Sequence, residues 1–265
     1  MNKVITLATD FGWGEYVAQM KGVILSINPK AAIIDITHSI KPQNILEGAY
    51  IIYSVAPYYS NGIHVGVVDP GVGTERKGLI LECKNGFLVG PDNGLLIPCA
   101  RNLGLKKIYK ITERDYFLGP VSNTFHARDI FAPVASHLSL GVLAEEIGEL
   151  VDEYVNLTLE YSMEKENTLE GKIIFIDSFG NLISSLPKKV IENYLDFGDQ
   201  VKIELEGMQG KIQKNLRFLK SYGFGEKEEL LSTMSSSGFF EISVNQGNAK
   251  KLLKVEVGTP IKLRF

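Results

Sequence analysis

In the first half of the chain, apolar runs of strand length alternate with apolar patterns of helical period. Positions 4–9 form an apolar run of strand type that ends at Thr9-Asp-Phe-Gly12. Between 16 and 27 the apolar positions Val17, Met20, Val23, Ile24 and Ile27 follow a helical period, and Asn28-Pro29 stops it. Positions 32–36 read as a second strand, 45–55 as a helix and 63–68 as a third strand. Strand-like runs follow at 79–83, 87–89 and 108–111. Gly90-Pro-Asp-Asn-Gly94 predicts a turn leading into a helix that ends near Leu103. The stretch from Thr124 to Pro133 leads into another helix that ends near Leu140. Strand and helix in alternation predict an α/β unit with a mostly parallel sheet and right-handed crossovers.

The pattern changes after a polar stretch, Glu160 to Glu170. Short strands are predicted at 171–176, 181–184, 200–205, 211–213, 230–233, 239–244 and 260–264, with a helix only at 187–194. This spacing predicts a small β-barrel or sandwich. The chain therefore reads as two domains, an N-terminal α/β domain over 1–160 and a C-terminal β-barrel over 168–265.

Composition narrows the functions. The chain has 265 residues, 45% hydrophobic and 22% charged, enough to bury a full core. A net charge of −3 with no long basic run speaks against nucleic acid as the partner. The N-terminal stretch is too short for a signal peptide and no apolar run reaches the roughly 18 residues that span a bilayer. We expect a cytoplasmic protein without a membrane partner. Four histidines and two cysteines, Cys83 and Cys99, show neither metal-ligand spacing nor a disulfide framework. No metal site is expected.

The candidate chemistry lies where strands end. Asp10, Asp35 and Asp69 each stand at or near the C-terminal end of a predicted strand, the edge where open α/β sheets place their sites. After Asp69 come Pro70, Gly71 and Gly73, a sharp turn, and then Arg76. A surface ion pair would explain Asp69 and Arg76, and so would a site. His126 falls at a predicted helix entrance, where unpaired N–H groups face outward. In the second domain the most site-like turns are Asp177-Ser-Phe-Gly-Asn181 and Ser235-Ser-Ser-Gly238, which Asx and Ser turns also explain. There is no Gly-x-Ser-x-Gly elbow, and Gly71-Val-Gly73 lacks the third glycine of a dinucleotide fingerprint.

Taken in order, Thr9-Asp-Phe-Gly12, Asp35-Ile-Thr-His-Ser-Ile40, Val67-Val-Asp-Pro-Gly-Val-Gly-Thr74 with Arg76, Gly90-Pro-Asp-Asn-Gly94, Thr124-Phe-His-Ala-Arg-Asp-Ile-Phe-Ala-Pro133 and Asp177-Ser-Phe-Gly-Asn181 resemble the SAM hydroxide adenosyltransferases. These are S-adenosyl-L-methionine (SAM) hydrolases forming adenosine and methionine, related to the fluorinases and chlorinases. The resemblance spans essentially the whole chain. It implies an α/β domain followed by a β-barrel, and a homotrimer with each site between the N-terminal domain of one subunit and the C-terminal domain of the next. It implies attack of water or hydroxide on C5′ of the SAM ribose, with SAM as substrate and no cofactor. The family's Asp-Arg-His triad maps onto Asp69, Arg76 and His126, and its ribose-binding acid onto Asp10. Asn181 matches the adenine-contacting Asn, Asp177 the acid that meets the methionine amino group, and Tyr222 an aromatic near the adenine. Ser236 and Ser237 occupy the turn that holds the methionine carboxylate. Two departures stand out: the halogenating relatives carry Arg where this chain has Ser237, and family hydrolases commonly carry Gly where it has Ala127.

The chemistry asks little beyond placement. A sulfonium leaves as a neutral thioether, so a positioned water is the main requirement. Asp69 as general base, or Arg76 and His126 as donors to hydroxide, would each serve. Halogenating relatives line their halide pocket with hydroxyl-bearing residues at positions matching Asp69, Val72 and Ala127. A carboxylate there repels an anion by about 4 kcal/mol at ~4 Å and an effective dielectric near ~20. Hydrolysis is therefore the expected reaction. The alternatives are a protein that binds SAM or adenosine without turnover, and halide-dependent adenosyl transfer.

Overall fold

The structure is a computed structural model that describes residues 4–207 and 210–265. The chain divides into two compact units, one ending at Thr158 and the other beginning at Leu159.

The first unit is α/β. Its elements are β1 (Val4–Thr9), α1 (Glu15–Ile27), β2 (Ala32–Thr37), α2 (Ile45–Val55), β3 (Ile63–Val67), β4 (Gly78–Cys83), β5 (Gly86–Pro91), α3 (Ile97–Asn102), β6 (Leu105–Ile111), α4 (Ala132–Leu140), α5 (Ala144–Ile147) and β7 (Gly148–Leu150). One seven-stranded sheet runs β2-β1-β3-β5-β4-β6-β7. The pairs β2–β1, β1–β3 and β3–β5 are parallel, and the remaining pairs are antiparallel. β6 is antiparallel to β4, which is antiparallel to β5, so β6 points the same way as the four parallel strands.

Composition explains the placement of the strands. Every residue of β3 is buried, as a central strand covered on both faces requires, whereas the edge strand β2 is only partly covered. Helix α1 buries Val17, Met20 and Ile24, the stripe its period predicts. Asn44 caps α2 by accepting from the Glu47 N–H at 3.1 Å, an interaction worth roughly 1 kcal/mol.

Strand order settles what the spacing of acids left open. β1 and β3 are neighbours, in register from Ile5 opposite Ile63 to Thr9 opposite Val67. Asp10 and Asp69 therefore leave the sheet side by side, one and two residues past that last pair.

The second unit contains β8 (Met163–Lys165), β9 (Thr168–Ile176), β10 (Leu182–Pro187), α6 (Lys188–Ile191), β11 (Gln200–Gly207), β12 (Gly210–Arg217), β13 (Leu230–Met234), β14 (Phe239–Val244), α7 (Ala249–Leu253) and β15 (Pro260–Arg264). Its antiparallel sheet runs β12-β11-β15-β9-β10-β14-β13. The two end strands approach each other through a bridge between Phe218 and Ser232, which bends the sheet towards a barrel. Leu169, Ile173, Leu182, Ile203, Phe240 and Leu263 belong to its core.

Three features differ from the sequence expectation. The polar stretch after Glu160, where no strand was expected, holds β8 and the start of β9, which pair there and are joined by Glu166 and Asn167 in the left-handed region. It reads as a boundary because all of β8 is exposed. The helix expected at 187–194 is only one turn, α6. A second short helix, α7, was not expected, because five residues display no period; Asn248 marks its start by accepting from the Lys251 N–H.

Candidate active site

Past the end of β3, Asp69 opens a tight turn. The Val72 N–H donates to the Asp69 carbonyl, and the Thr74 N–H and hydroxyl both donate to the Gly71 carbonyl. This fold-back returns Arg76 to Asp69. The guanidinium grips the carboxylate with two bonds, Nε to Oδ1 at 3.2 Å and Nη2 to Oδ2 at 2.5 Å. Both side chains are largely buried, at 9% and 5% exposure, so the pair is shielded from water. Nη1 donates to the Lys77 carbonyl at 2.9 Å, and the cation lies over the Phe131 ring. Arg76 is thus held on three sides.

Gly73 explains the glycine content of this turn. Its φ is +78°, and a Cβ there would collide with the Asn123 carbonyl. The turn lies against the segment that carries His126. By contrast, a Cβ on Gly71 would meet nothing closer than 3.6 Å.

His126 immediately precedes a single π-helical turn, Ala127–Phe131, which runs into α4. Turns of this kind occur often at functional sites. The His126 Nδ1 lies 3.1 Å from Arg76 Nη2. Arginine has no acceptor, so Nη2 is the donor and Nδ1 must be the acceptor. The neutral ring then carries its proton on Nε2. Burial lowers the His126 pKa, as does the Arg76 cation, against the opposing pull of Asp69 and Asp129. Asp69, Arg76 and His126 therefore form one joined group with Arg76 at its centre.

Asp10 stands beside this group at the same sheet edge. Its Oδ2 accepts from the Gln43 N–H at 2.8 Å, and Gln43 holds a left-handed φ of 65°. Thr9 just before it is fully buried and bonds His38 Nδ1 at 2.8 Å. His38 Nε2 in turn reaches Asp35 Oδ1 at 2.9 Å, and Asp35 Oδ2 accepts from Lys21 Nζ at 2.6 Å. The third strand-end acid is thereby committed to a structural relay that braces the Asp10 loop.

In the second unit, Asp177, Asn181 and Tyr222 line one cavity of about 600 Å3, together with Phe179 and Gln246. Asp177 Oδ1 accepts the N–H groups of Phe179 and Asn181, and Oδ2 accepts from Asn181 Nδ2 at 2.9 Å. With its amide nitrogen on Asp177, Asn181 keeps Oδ1 as an acceptor. Tyr222 donates its hydroxyl to Glu241 Oε1 at 2.8 Å.

Ser236 and Ser237 are not among the residues lining that cavity. They occupy the turn between β13 and β14, whereas the cavity takes Val244 and the residues after it. The length of β14 separates them, about 17 Å for six residues. Gln43 and Glu241 were missed in the sequence. Gln43 acts through its backbone and leaves no side-chain signal. Glu241 had one, an acid within the apolar run Phe239-Phe-Glu-Ile242.

Among the described residues, no group of three or more His, Cys, Asp or Glu side chains is arranged to hold a metal ion. No described helix is long and apolar enough to cross a membrane. Cys83 and Cys99 are free and buried; burial pushes the Cys83 thiol up to about 12 and the Cys99 thiol higher still.

Comparison with known proteins adds a family and relatives. Residues 5–148 match the N-terminal domain model of the SAM hydroxide adenosyltransferases, and residues 171–262 match the C-terminal one. A protein of Methanocaldococcus jannaschii named (R)-S-adenosyl-L-methionine hydrolase is 41% identical over 99% of this chain and 96% of its own. One of the same name from Salinispora tropica is 33% identical over 98% of this chain and 97% of its own. A crystal structure of a Thermotoga maritima protein superposes with a TM-score of 0.92 at 34% identity, covering 98% of this chain and 100% of that one.

Proposed function

Since the chain belongs to the SAM hydroxide adenosyltransferase family, we propose that it hydrolyses S-adenosyl-L-methionine to adenosine and L-methionine. The observation that carries the reading is the joined group Asp69–Arg76–His126 at the sheet edge, beside Asp10. The names of the relatives support the same reaction.

The tautomer of His126 supports one division of roles. With Nδ1 occupied by Arg76, the ring offers only an N–H at Nε2, so His126 donates to the nucleophile. To take a proton it would have to accept it on Nδ1, beside a fixed cation. Asp69 is the group that remains as acceptor. A water held between the Nε2–H donor and the Asp69 carboxylate presents a lone pair to C5′. The C–O bond forms as the C5′–S bond breaks, the sulfur keeps the electron pair and leaves as neutral methionine, and the water's proton passes to Asp69 and on to solvent. Positioning and general-base assistance together account for catalysis without a covalent intermediate.

Asp10 takes the ribose hydroxyls with the carboxylate that Gln43 orients. Asn181 presents Oδ1 to the adenine amino group, and Tyr222 lies beside the base. Asp177 meets the methionine ammonium as well as bracing Asn181. The assignment of Ser236 and Ser237 to the methionine carboxylate rests on the family resemblance. The substrate residues fall on both units, which supports a homotrimer in which each site draws on two copies. Sedimentation at micromolar concentration tests that, and a monomer with full activity would overturn it.

Incubation with SAM in chloride buffer, followed by chromatography, tests the reaction. Adenosine and methionine should appear in equal amounts. Intact SAM would leave a binding protein, and 5′-chloro-5′-deoxyadenosine would mean halide transfer.

A further inference from the structure

β14 carries one residue that its surroundings do not invite. Glu241 lies between Phe240 and Ile242, 0% exposed both, and is itself only 3% exposed. Its strand neighbours are Ile183 on β10 and Thr233 on β13. No cation pairs with it among the described residues. Burial raises its pKa, the Asp177 charge adds to this, and hydrogen bonds from Ser243 and Tyr222 oppose it. An acid in such a place costs stability unless its oxygens are bonded. The donors present are two hydroxyls on the same oxygen, Ser243 Oγ at 2.6 Å and Tyr222 Oη at 2.8 Å.

Tyr222 is the link to function. It begins a single 3-10 turn, Tyr222–Phe224, on the rim of the cavity that also holds Asp177 and Asn181. The residue is 42% exposed, and its hydroxyl ties the ring to β14, a strand paired on both sides with β10 and β13.

We propose that Glu241 is a positioning residue for the nucleoside pocket: it holds the Tyr222 phenol, and through that ring it sets the shape of the cavity that receives the adenine. This rests on the SAM reading of the site. It makes Glu241 matter for substrate affinity although it touches no substrate, and it accounts for a buried acid that a leucine would replace at lower cost.

The test compares KM and kcat for SAM in the full-length protein and in Y222A, Y222F, E241L, E241Q and E241L/Y222F. Y222F and E241L should each raise KM roughly three- to tenfold, the effect of one lost hydrogen bond, with kcat changed less than twofold. The double variant should be no worse than either single one. E241Q keeps an acceptor in place and should stay within twofold of the parent. An unchanged KM in Y222F or E241L, or effects that multiply in the double variant, would overturn the proposal. Should E241L fail to fold, Y222F still decides, since it removes one oxygen from an exposed ring. Y222A separates the two readings. A parental KM in Y222A means that Tyr222 is no substrate contact and the site reading fails, whereas a raised KM in Y222A with parental values in Y222F and E241L defeats only the role of Glu241. If SAM is not turned over, adenosine Kd by calorimetry gives the same comparison.

Discussion

Arg76 Nη2 lies 3.1 Å from His126 Nδ1, and because the guanidinium only donates, this contact fixes the imidazole as the Nε2–H tautomer. Protonation of His126 would put two donors face to face. Its pKa is lowered by burial and by the Arg76 charge, so the ring is neutral at pH 7 and charges only below the ordinary value of about 6.5. We expect the acid limb of the kcat profile to lie below that value. Titration of His126 by NMR should show the same midpoint, and R76Q should move it upward by removing one of the two causes. A midpoint at or above the ordinary value would contradict the tautomer assignment.

In the proposed reaction Asp69 is the group that accepts the water's proton. D69N keeps the shape but turns an amide N–H2 towards the donors of Arg76. Turnover should fall by about 10²–10⁴-fold, the usual worth of a general base, while adenosine binding stays within about tenfold. Equal loss of binding and turnover would make Asp69 a binding or structural group. R76K should also lose about 10²-fold or more, since a lysine cannot form the two-point grip or reach His126 with the same atom.

Much of this arrangement was legible in the sequence because it lies in local motifs. Asp10, Asp69, Arg76 and His126 sit in turns whose glycines, prolines and strand ends are visible without coordinates. What was hidden depended on neighbours far away in sequence. Nothing in Asp35 distinguishes it from Asp10; only the approach of Lys21 and His38 makes one structural and leaves the other beside the site. The strand order that sets Asp10 next to Asp69 is likewise a property of pairing. The π-turn after His126 has no composition of its own, and Glu241 looks like any acid in a strand until Tyr222 reaches it.

Gly73 and Gly71 separate two explanations of the turn between Asp69 and Arg76. A glycine there lets either a ligand or the protein's own backbone come close. At Gly73 the neighbour is the Asn123 carbonyl, and φ is left-handed, so G73A should destabilise by about 1–3 kcal/mol and lose activity with it. At Gly71 an added methyl meets only ordinary contacts, so thermal stability should be parental. The informative readout is then activity. A stable but inactive G71A would mean that substrate approaches this backbone, whereas a stable and active one would leave Gly73 and its contact with Asn123 as the reason for the turn.

His64 gives the fold a pH dependence separate from catalysis. It is 1% exposed on β3; Nδ1 bonds Thr6 Oγ1 at 2.9 Å, and Nε2 is buried without a hydrogen-bond partner in the structure. Burial lowers its pKa to about 4. An unfolded chain takes up this proton below about 6.5, whereas the folded chain resists until about 4. Across that window the unfolded state binds more protons, so stability rises with pH and falls on acidification. The difference of about 2.5 pH units sets a maximum loss of roughly 3 kcal/mol at pH 4. Urea unfolding at pH 7 and pH 5 should show the parent less stable at the lower value. H64L leaves the Thr6 hydroxyl without its imidazole partner, so it should be less stable than the parent at pH 7. It should nevertheless lose less on going to pH 5, because the titrating group is gone. An identical pH slope in both proteins would assign the acid sensitivity to other groups.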